Sequence, residues 1–261
     1  MTAAYLRYVA LGDSQTEGMN DGDEVRGYRG WADRLAEQLA AADPRVHYAN
    51  LAVRGRITQQ VHAEQLPVAL SLRPDLVTVL AGMNDLLRPR FDAAEVAGHQ
   101  ERMFAALTGL GAHVVTFAIP DPSVLVPAAR GLAKRAQDLN AYVREAADRH
   151  GATVVDLAAY PVCTDARLWS PDRLHLNTLG HTRLAAAVSH ALDLPGSDPL
   201  WMSPLAPQRN PATWRRASRE LRWVASFVGP WVVRRLLGRS SGDGRTAKRP
   251  ALAPVEGKSL T

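Results

Sequence analysis

The sequence predicts an α/β protein built on a parallel sheet that helices cover on both faces. Short apolar runs alternate with helical patterns through the first 194 of its 261 residues. Each run spans five to seven residues between turn formers, which is typical of buried parallel strands. Strands that alternate with helices in this way form βαβ units, whose crossovers are right-handed.

Five of these runs are expected to be strands, and four helical patterns lie between and after them. The strands are predicted over residues 6–11, 46–50, 76–81, 113–119 and 153–157. The helices are predicted over residues 31–40, 94–110, 132–150 and 178–192. Trp31, Leu35 and Leu39 recur at the spacing that places them on one face of the first helix. Asn177 or Thr178 can cap the last helix.

Polar motifs follow the first three predicted strands, and parallel strands open their following loops on one edge of the sheet. The motifs are Gly12-Asp13-Ser14-Gln15-Thr16-Glu17-Gly18, Asn50-Leu51-Ala52-Val53-Arg54-Gly55 and Gly82-Met83-Asn84-Asp85. A serine at the carboxyl end of a first strand lies where α/β sheets place their chemistry. A fourth motif, Asp172-Arg173-Leu174-His175, comes just before the last predicted helix.

These residue types fit nucleophilic catalysis by a serine. A serine hydroxyl is a poor nucleophile until a base takes its proton, and histidine suits that task near neutral pH. Asp172 lies three residues before His175, and on a tight loop its carboxylate can reach the imidazole Nδ1–H. It would then fix the tautomer and stabilise the imidazolium. Taken alone, this pair is more often a helix cap beside a surface histidine, and only the combination with the other motifs favours catalysis.

The four motifs together resemble the SGNH family, also called GDSL-type esterases and lipases, over about residues 5–192. The resemblance implies a three-layer α/β/α flavodoxin-like fold with a five-stranded parallel sheet. It assigns Ser14, Asp172 and His175 to a catalytic triad. It assigns the oxyanion hole to the backbone N–H groups of Ser14 and Gly55 and to the side-chain amide of Asn84.

The neighbours of these residues have less specific expectations. Gln15 stands where the family's other name has a leucine. Asp13 and Asp85 are expected to bind backbone N–H groups of their own loops. Arg54 and Arg56 flank Gly55 and are expected to be solvated, although an anionic part of a substrate is an alternative partner.

The C-terminal part of the chain differs from the rest in charge. Residues 195–261 carry twelve Lys and Arg against four Asp and Glu, whereas residues 1–194 carry nineteen against twenty-two. We therefore divide the chain into a catalytic domain over 1–194, a Pro-rich linker with a basic amphipathic helix over 195–238, and a flexible tail over 239–261. The helix is expected to pack on the domain, and peripheral contact with an anionic membrane through 212–238 is the alternative.

Composition and motifs exclude several other classes. The single cysteine, Cys163, cannot form an internal disulfide and fits a reducing compartment. No apolar run is long enough to span a membrane and the first residues lack a secretion signal, so a cytoplasmic location is expected. No spacing of ligands indicates a metal, no phosphate-binding loop indicates a nucleotide, and no recognition motif indicates nucleic acid. We expect no cofactor.

The expected activity is hydrolysis of a small-molecule, lipid or carbohydrate ester through an acyl-enzyme. An acyltransferase or a carbohydrate O-deacetylase could use the same triad, because water and an acceptor hydroxyl compete for one acyl-enzyme. The alternative without enzymatic activity is a membrane-binding scaffold on an esterase fold. The presence of all five site residues argues against that alternative. The length of the acyl group and the identity of the alcohol stay open.

Overall fold

The core of the protein is a six-stranded sheet, seen in a computed structural model that describes residues 5–126, 129–207, 223, 226 and 241–255. The strands in the described residues are β1 (Arg7–Gly12), β2 (Gly22–Asp23), β3 (Gly27–Tyr28), β4 (His47–Asn50), β5 (Leu76–Leu80), β6 (His113–Ala118), β7 (Thr153–Asp156) and β8 (Arg249–Pro254). Strands β2 and β3 form a separate ribbon, and the sheet has the order β8-β4-β1-β5-β6-β7. All neighbours in the sheet are parallel except β4 and β8.

Helices flank this sheet. The α-helices of the described residues are α1 (Ser14–Glu17), α2 (Trp31–Ala42), α3 (Thr58–Gln60), α4 (Leu66–Leu72), α5 (Met83–Leu86), α6 (Ala93–Gly109), α7 (Pro122–Leu125), α8 (Gly131–His150) and α9 (Thr178–Ala191). A π-helical turn, Val61–Gln65, joins α3 to α4. Helix α2 packs with α9, and α6 packs with α8. Because right-handed crossovers that run in opposite directions along a sheet lie on opposite faces, these two helix pairs enclose the sheet.

Burial on both faces explains the apolar composition of the central strands. All five residues of β5 and five of the six in β1 are buried. Tyr8 of β1 stacks on Tyr48 of β4 with ring centroids 5.0 Å apart. The hydroxyl groups of Tyr8 and Thr78 lie 2.9 Å apart in a hydrogen bond, which satisfies both of these buried polar groups.

The predicted fold class is confirmed. Each of the five predicted strands is present with ends that differ by at most one residue, and the four predicted helices differ by at most two. The five parallel strands follow the flavodoxin-like order, with the second strand beside the first and the third on its other side. The short helices α1, α3, α4, α5 and α7 were not predicted.

The prediction of a flexible tail from residue 239 onwards is wrong for β8, which adds a sixth strand to the sheet. Tyr48 of β4 pairs with Ala253, and the strand runs antiparallel. Arg249 donates from Nε to the carbonyl oxygen of Tyr48 at 2.9 Å. An edge strand tolerates Pro250 and Pro254, because the N–H groups of one of its sides need no partner in the sheet. The Gly-rich, polar composition before this strand concealed it.

The described part of the predicted linker also packs on the domain. Trp201 is buried and meets the ring of Tyr160 edge-on, with centroids 4.8 Å apart. Arg183 of α9 donates to the carbonyl oxygens of Trp201 and Ser203. The predicted amphipathic helix lies outside the described residues except for positions 223 and 226. No helix in the described ranges is long and apolar enough to cross a bilayer.

We predict that a chain ending at Ser240 has a lower melting temperature than the full chain, by about 5 °C or more. The deletion exposes the edge of β4 and removes the ion pair between Lys248 and Asp33, whose atoms lie 2.6 Å apart. A loss of a few kcal/mol in a domain of this size produces such a shift. Differential scanning calorimetry measures it.

A chain ending at Val255 is the matched control, because it keeps β8 and loses only the six residues after it. Its melting temperature is expected to equal that of the full chain. Equal melting temperatures for the chains ending at Ser240 and at Val255 would contradict a stabilising role for β8.

Candidate active site

The predicted site residues gather at the carboxyl edge of the sheet, where the chain leaves β1. The first crossover leads from β1 to β4 on one side of β1, and the next leads from β4 back past β1 to β5 on its other side. This change of direction creates the crevice where α/β folds bind ligands. Gly12 ends β1 with a φ of 151°, and a Cβ there would collide with the carbonyl oxygen of Leu80. Glycine therefore lets the chain turn tightly from β1 into α1, which begins at Ser14.

Ser14, His175 and Asp172 form an unbroken chain of hydrogen bonds. Ser14 Oγ lies 2.9 Å from His175 Nε2, and His175 Nδ1 lies 2.8 Å from Asp172 Oδ2. The serine and the histidine are both nearly fully buried, at 8% and 9% exposure. The structure thus brings together three residues that are as much as 161 positions apart in the sequence.

Asp172 is held in its ionised form by donors around it. Burial alone would raise the pKa of its carboxyl group. His175, through its hydrogen bond and charge, and the backbone N–H groups of Leu174 and His175 outweigh burial and lower that pKa to about 2. The amide of Asn20 donates to Asp172 Oδ2 at 2.7 Å. Sequence reasoning missed Asn20, because nothing in the local pattern links it to a residue 152 positions away.

One residue of the C-terminal extension reaches the same loop. Trp223 donates from Nε1 to the carbonyl oxygen of Asp172 at 3.0 Å. The guanidinium carbon of Arg173 lies 4.7 Å from the centroid of the Trp223 ring, in a cation–π contact. Arg173 itself has a left-handed backbone with a φ of 59°. These contacts support the turn between Asp172 and His175 from outside the sheet.

The two predicted backbone donors of the oxyanion hole are available for a ligand. Gly55 follows β4 in a left-handed conformation with a φ of 76°. Its loop is tied to the end of β1 by the hydrogen bond from Val53 N to Gly12 O at 3.3 Å. The backbone N–H groups of Gly55 and Ser14 donate to no acceptor among the described residues. Unpaired N–H groups at this edge can bind a negatively charged oxygen.

The third predicted donor, Asn84, has partners within the protein. Its Nδ2 donates to Asp13 Oδ2 at 2.9 Å and to the carbonyl oxygen of Arg56 at 3.0 Å. The first contact links the loop after β5 to the loop after β1, and the second links it to the residue after Gly55. Asn84 therefore joins the three loops that carry the predicted donors.

Asp13 binds its own loop as expected, whereas Asp85 binds another segment of the chain. Asp13 caps α1 by accepting from the backbone N–H of Gln15 at 3.1 Å, and it also binds Asn84. Burial is the main reason that the pKa of Asp13 rises to about 6, against the smaller lowering effect of the Gln15 N–H and the charge of His175. Asp85 accepts from the backbone N–H and the hydroxyl of Thr58 at the start of α3, and burial raises the pKa of Asp85.

The expectation that Arg54 is solvated is wrong. Arg54 is buried, and its guanidinium forms an ion pair with Glu17 at the end of α1. Its Nη1 also lies 2.9 Å from Glu24 Oε1. A buried guanidinium requires such partners, and here they come from the segment that follows Ser14. Arg54 thus ties the loop of Gly55 to α1.

An apolar cavity lies beside several of the predicted site residues. Several residues that line it are next to the predicted site residues, lie between β7 and α9, or follow α9; they include Asp13, Gln15, Met83, Trp169, Leu176 and Trp201. We call it the apolar cavity below. In the described part of the chain, no group of three His, Cys, Asp or Glu side chains could hold a metal ion.

The family of the protein follows from comparison with known sequences. The profile of the GDSL-like Lipase/Acylhydrolase family matches residues 10–183, two thirds of the chain. The chain belongs to this family. No protein with a curated description matches the sequence significantly.

Solved structures of hydrolases share the fold of this GDSL-like hydrolase. LAE5, an α/β hydrolase from the metagenome of Lake Arreo, Spain, has a TM-score of 0.61 and 22% identity, and the match covers 73% of this chain and 96% of that one. A catalytic mutant of an acetylxylan esterase from Geobacillus stearothermophilus has a TM-score of 0.62 and 17% identity, and the match covers 78% of this chain and 100% of that one. The lipase/acylhydrolase from Enterococcus faecalis has a TM-score of 0.59 and 22% identity, and the match covers 77% of this chain and 100% of that one.

We predict that Asp13 makes the stability of this GDSL-like hydrolase depend on pH. Its folded-state pKa of about 6 exceeds its ordinary value of 3.8, so the folded state binds more protons between these values. Its contribution is therefore complete below about pH 4 and is lost as the pH rises through about 6, on the order of 3 kcal/mol. The melting temperature of Asp13→Asn, which has no such proton, is compared with that of the wild type at several pH values.

The difference in melting temperature, variant minus wild type, is expected to become more positive as the pH rises from 4 to 7. The asparagine side chain loses one of the hydrogen bonds that Asp13 accepts, and this loss shifts the difference by the same amount at every pH. It therefore does not change the slope of the difference against pH. A difference that stays flat or falls with pH would show that the folded state does not raise the pKa of Asp13.

Proposed function

We propose that the protein is a serine ester hydrolase that works through an acyl-enzyme intermediate. The observation that carries this proposal is the chain of hydrogen bonds from Ser14 Oγ through His175 to Asp172, at 2.9 and 2.8 Å. This geometry lets the histidine take the hydroxyl proton while the carboxylate holds the ring. Membership of an acylhydrolase family supports acyl transfer as the class of reaction.

The proposed reaction has two halves with the same proton carrier. In the first, Ser14 Oγ attacks the carbonyl carbon while His175 Nε2 takes its proton, and Asp172 stabilises the imidazolium. The tetrahedral intermediate then breaks the carbon–oxygen bond of the ester, and the leaving alcohol takes the proton from Nε2. In the second, a water molecule gives a proton to Nε2 and attacks the acyl carbon. Ser14 Oγ leaves with that proton, and the carboxylic acid is released.

Three donors are proposed to stabilise the negative oxygen of the intermediate. The backbone N–H groups of Ser14 and Gly55 need no rearrangement, since no described residue accepts from them. The amide of Asn84 must exchange one of its two present acceptors, Asp13 and the carbonyl oxygen of Arg56. We infer that the oxyanion replaces the neutral carbonyl oxygen, because the buried carboxylate has greater need of a donor.

The apolar cavity supports an uncharged, apolar acyl group as the part of the substrate that faces the protein interior. A carbohydrate O-deacetylase is the second candidate, because an acetylxylan esterase shares the fold. A series of p-nitrophenyl esters of increasing acyl length, assayed beside an acetylated xylo-oligosaccharide, distinguishes the two. A preference for longer acyl chains supports a lipase-like esterase, and acetate release from the sugar supports the deacetylase.

We predict that Ser14→Ala abolishes ester hydrolysis while the protein stays folded. Removing a triad residue typically reduces kcat by several orders of magnitude, because the nucleophile itself is lost. A fluorophosphonate reagent is expected to label the wild type at Ser14 and to leave the variant unlabelled. Mass spectrometry of the intact protein and of its peptides measures the labelling.

Ser189→Ala is the matched control, because Ser189 is also buried but lies near the C-terminal end of α9. It is expected to keep both hydrolysis and labelling. Hydrolysis that survives in Ser14→Ala would refute the proposed mechanism.

We predict that Asn84→Ala lowers kcat by about 100-fold to 1,000-fold with a much smaller change in KM. The hydrogen bond from the Asn84 amide to the oxyanion forms mainly in the transition state, so its loss affects the rate more than the binding of the substrate. Steady-state kinetics on the best p-nitrophenyl ester separates kcat from KM. A change confined to KM would instead assign Asn84 to substrate binding.

A further inference from the structure

Gln15 binds the chain on both sides of His175. Its Nε2 donates to the carbonyl oxygen of Leu174 at 2.7 Å, and its Oε1 accepts from the backbone N–H of Leu176 at 3.3 Å. These two residues are the immediate neighbours of His175 in the sequence, and Gln15 is the immediate neighbour of Ser14. A single side chain therefore connects the backbone beside the serine to the backbone beside the histidine.

We propose that Gln15 is a positioning residue that sets the distance between Ser14 Oγ and His175 Nε2, a role that rests on the proposed hydrolase function. The hydrogen bonds that shape the histidine loop come largely from the loop itself. Ser170 N donates to His175 O at 2.8 Å, and Asp172 accepts from His175 N at 3.0 Å. Such bonds fix the shape of the loop but not its place relative to the serine. Gln15 supplies that link next to Ser14 itself, whereas the hydrogen bond from Asn20 to Asp172 joins the loop to a point farther along the chain.

The chemistry of an amide suits this role. The link requires one donor, facing a carbonyl oxygen, and one acceptor, facing an N–H group, on the same planar end of a side chain. Leucine, the residue in the family's other name, provides neither. A carboxylate accepts from Leu176 N but repels the carbonyl oxygen of Leu174. Because Gln15 is only 8% exposed, water has little access to replace either bond.

The expected consequence for the reaction is large, because nucleophile and base must meet at hydrogen-bonding distance. A displacement of about 1 Å between reacting groups can reduce the rate by roughly 100-fold. A displaced base slows proton removal but leaves the binding pocket for the ester in place. Loss of Gln15 therefore lowers kcat more than it raises KM.

The first test is Gln15→Met, which keeps the length of the side chain and removes both hydrogen bonds. We expect kcat to fall by about 10-fold to 100-fold and KM to change by a smaller factor, although Gln15 also lines the apolar cavity. Labelling of Ser14 by a fluorophosphonate is expected to slow by a similar factor, because that reaction also needs the histidine. An unchanged kcat would overturn the proposal.

Asn140→Leu is the matched control for the loss of two buried hydrogen bonds of a side-chain amide. Asn140 of α8 binds one backbone position, Ile119, in the same way, accepting from its N–H at 2.9 Å and donating to its carbonyl oxygen at 2.8 Å. This variant is expected to lower the melting temperature as Gln15→Met does but to keep kcat within about twofold. An equal loss of kcat in both variants would reduce the effect of Gln15 to general destabilisation and overturn the proposal.

Gln15→Glu gives a pH signature that loss of packing does not produce. A protonated carboxyl group donates to Leu174 O and accepts from Leu176 N as the amide does, whereas the ionised form cannot donate. Burial raises the pKa of a carboxyl group at such a position above its ordinary range. The ratio of kcat in the variant to kcat in the wild type is therefore expected to fall as the pH rises. A ratio that is independent of pH would contradict the proposed donor.

Hydrogen exchange of the Leu176 amide, followed by NMR, tests the link without any activity. It is expected to be faster in Gln15→Met than in the wild type, and unchanged in Ser14→Ala. Ester hydrolysis by the wild type, and its loss in Ser14→Ala, decide the proposed function separately. Unchanged exchange at Leu176 in Gln15→Met overturns the positioning role even where that function holds, and faster exchange supports the link even where hydrolysis fails.

Discussion

The ion pair between Arg54 and Glu17 is the interaction on which the arrangement of the site depends most. Helix α1 begins at Ser14 and ends at Glu17, while Gly55 directly follows Arg54, so one charge pair holds the serine and the proposed oxyanion donor together. Both side chains are at most 10% exposed. Removing one partner of such a buried pair typically costs about 3–5 kcal/mol, because the remaining charge has no compensation. The pair therefore ties the geometry of the site to the stability of the fold.

The same charges connect the site to the C-terminal part of the chain. Glu24 binds Arg54 and also accepts from Arg245 Nη1 at 3.0 Å. Gly242 packs so closely on the carbonyl oxygen of Arg54 that a Cβ at this position would collide with it. With β8 paired to β4, residues 241–255 belong to the framework of the site. Part of the positive charge of this basic segment thus serves to neutralise acidic groups of the domain.

The sequence predicted what depends on local pattern and missed what depends on distant partners. Apolar runs and helical spacing report which face of an element is buried, and the order of the motifs placed Ser14, Gly55 and Asn84 at one edge of the sheet. The burial of Arg54 could not be predicted in this way, because its partner Glu17 lies 37 positions away. Gln15 binds a loop 159 positions away, and Arg249 of β8 binds Tyr48 across 201 positions. Such contacts are set by topology, which periodicity does not encode.

The pKa values of two carboxyl groups at the site are shifted in opposite directions, that of Asp172 downwards and that of Asp13 upwards. Hydrogen bonds from His175 and the loop overcome burial at Asp172 and lower its pKa to about 2, so it stays charged whenever the imidazolium forms. At Asp13 burial prevails and raises the pKa to about 6. Ionised Asp13 polarises the Asn84 amide into a stronger donor but would also place a negative charge near the oxyanion of the proposed reaction, and these effects oppose each other. The ionisation of Asp13 therefore changes the site in two opposed ways as the pH rises through about 6.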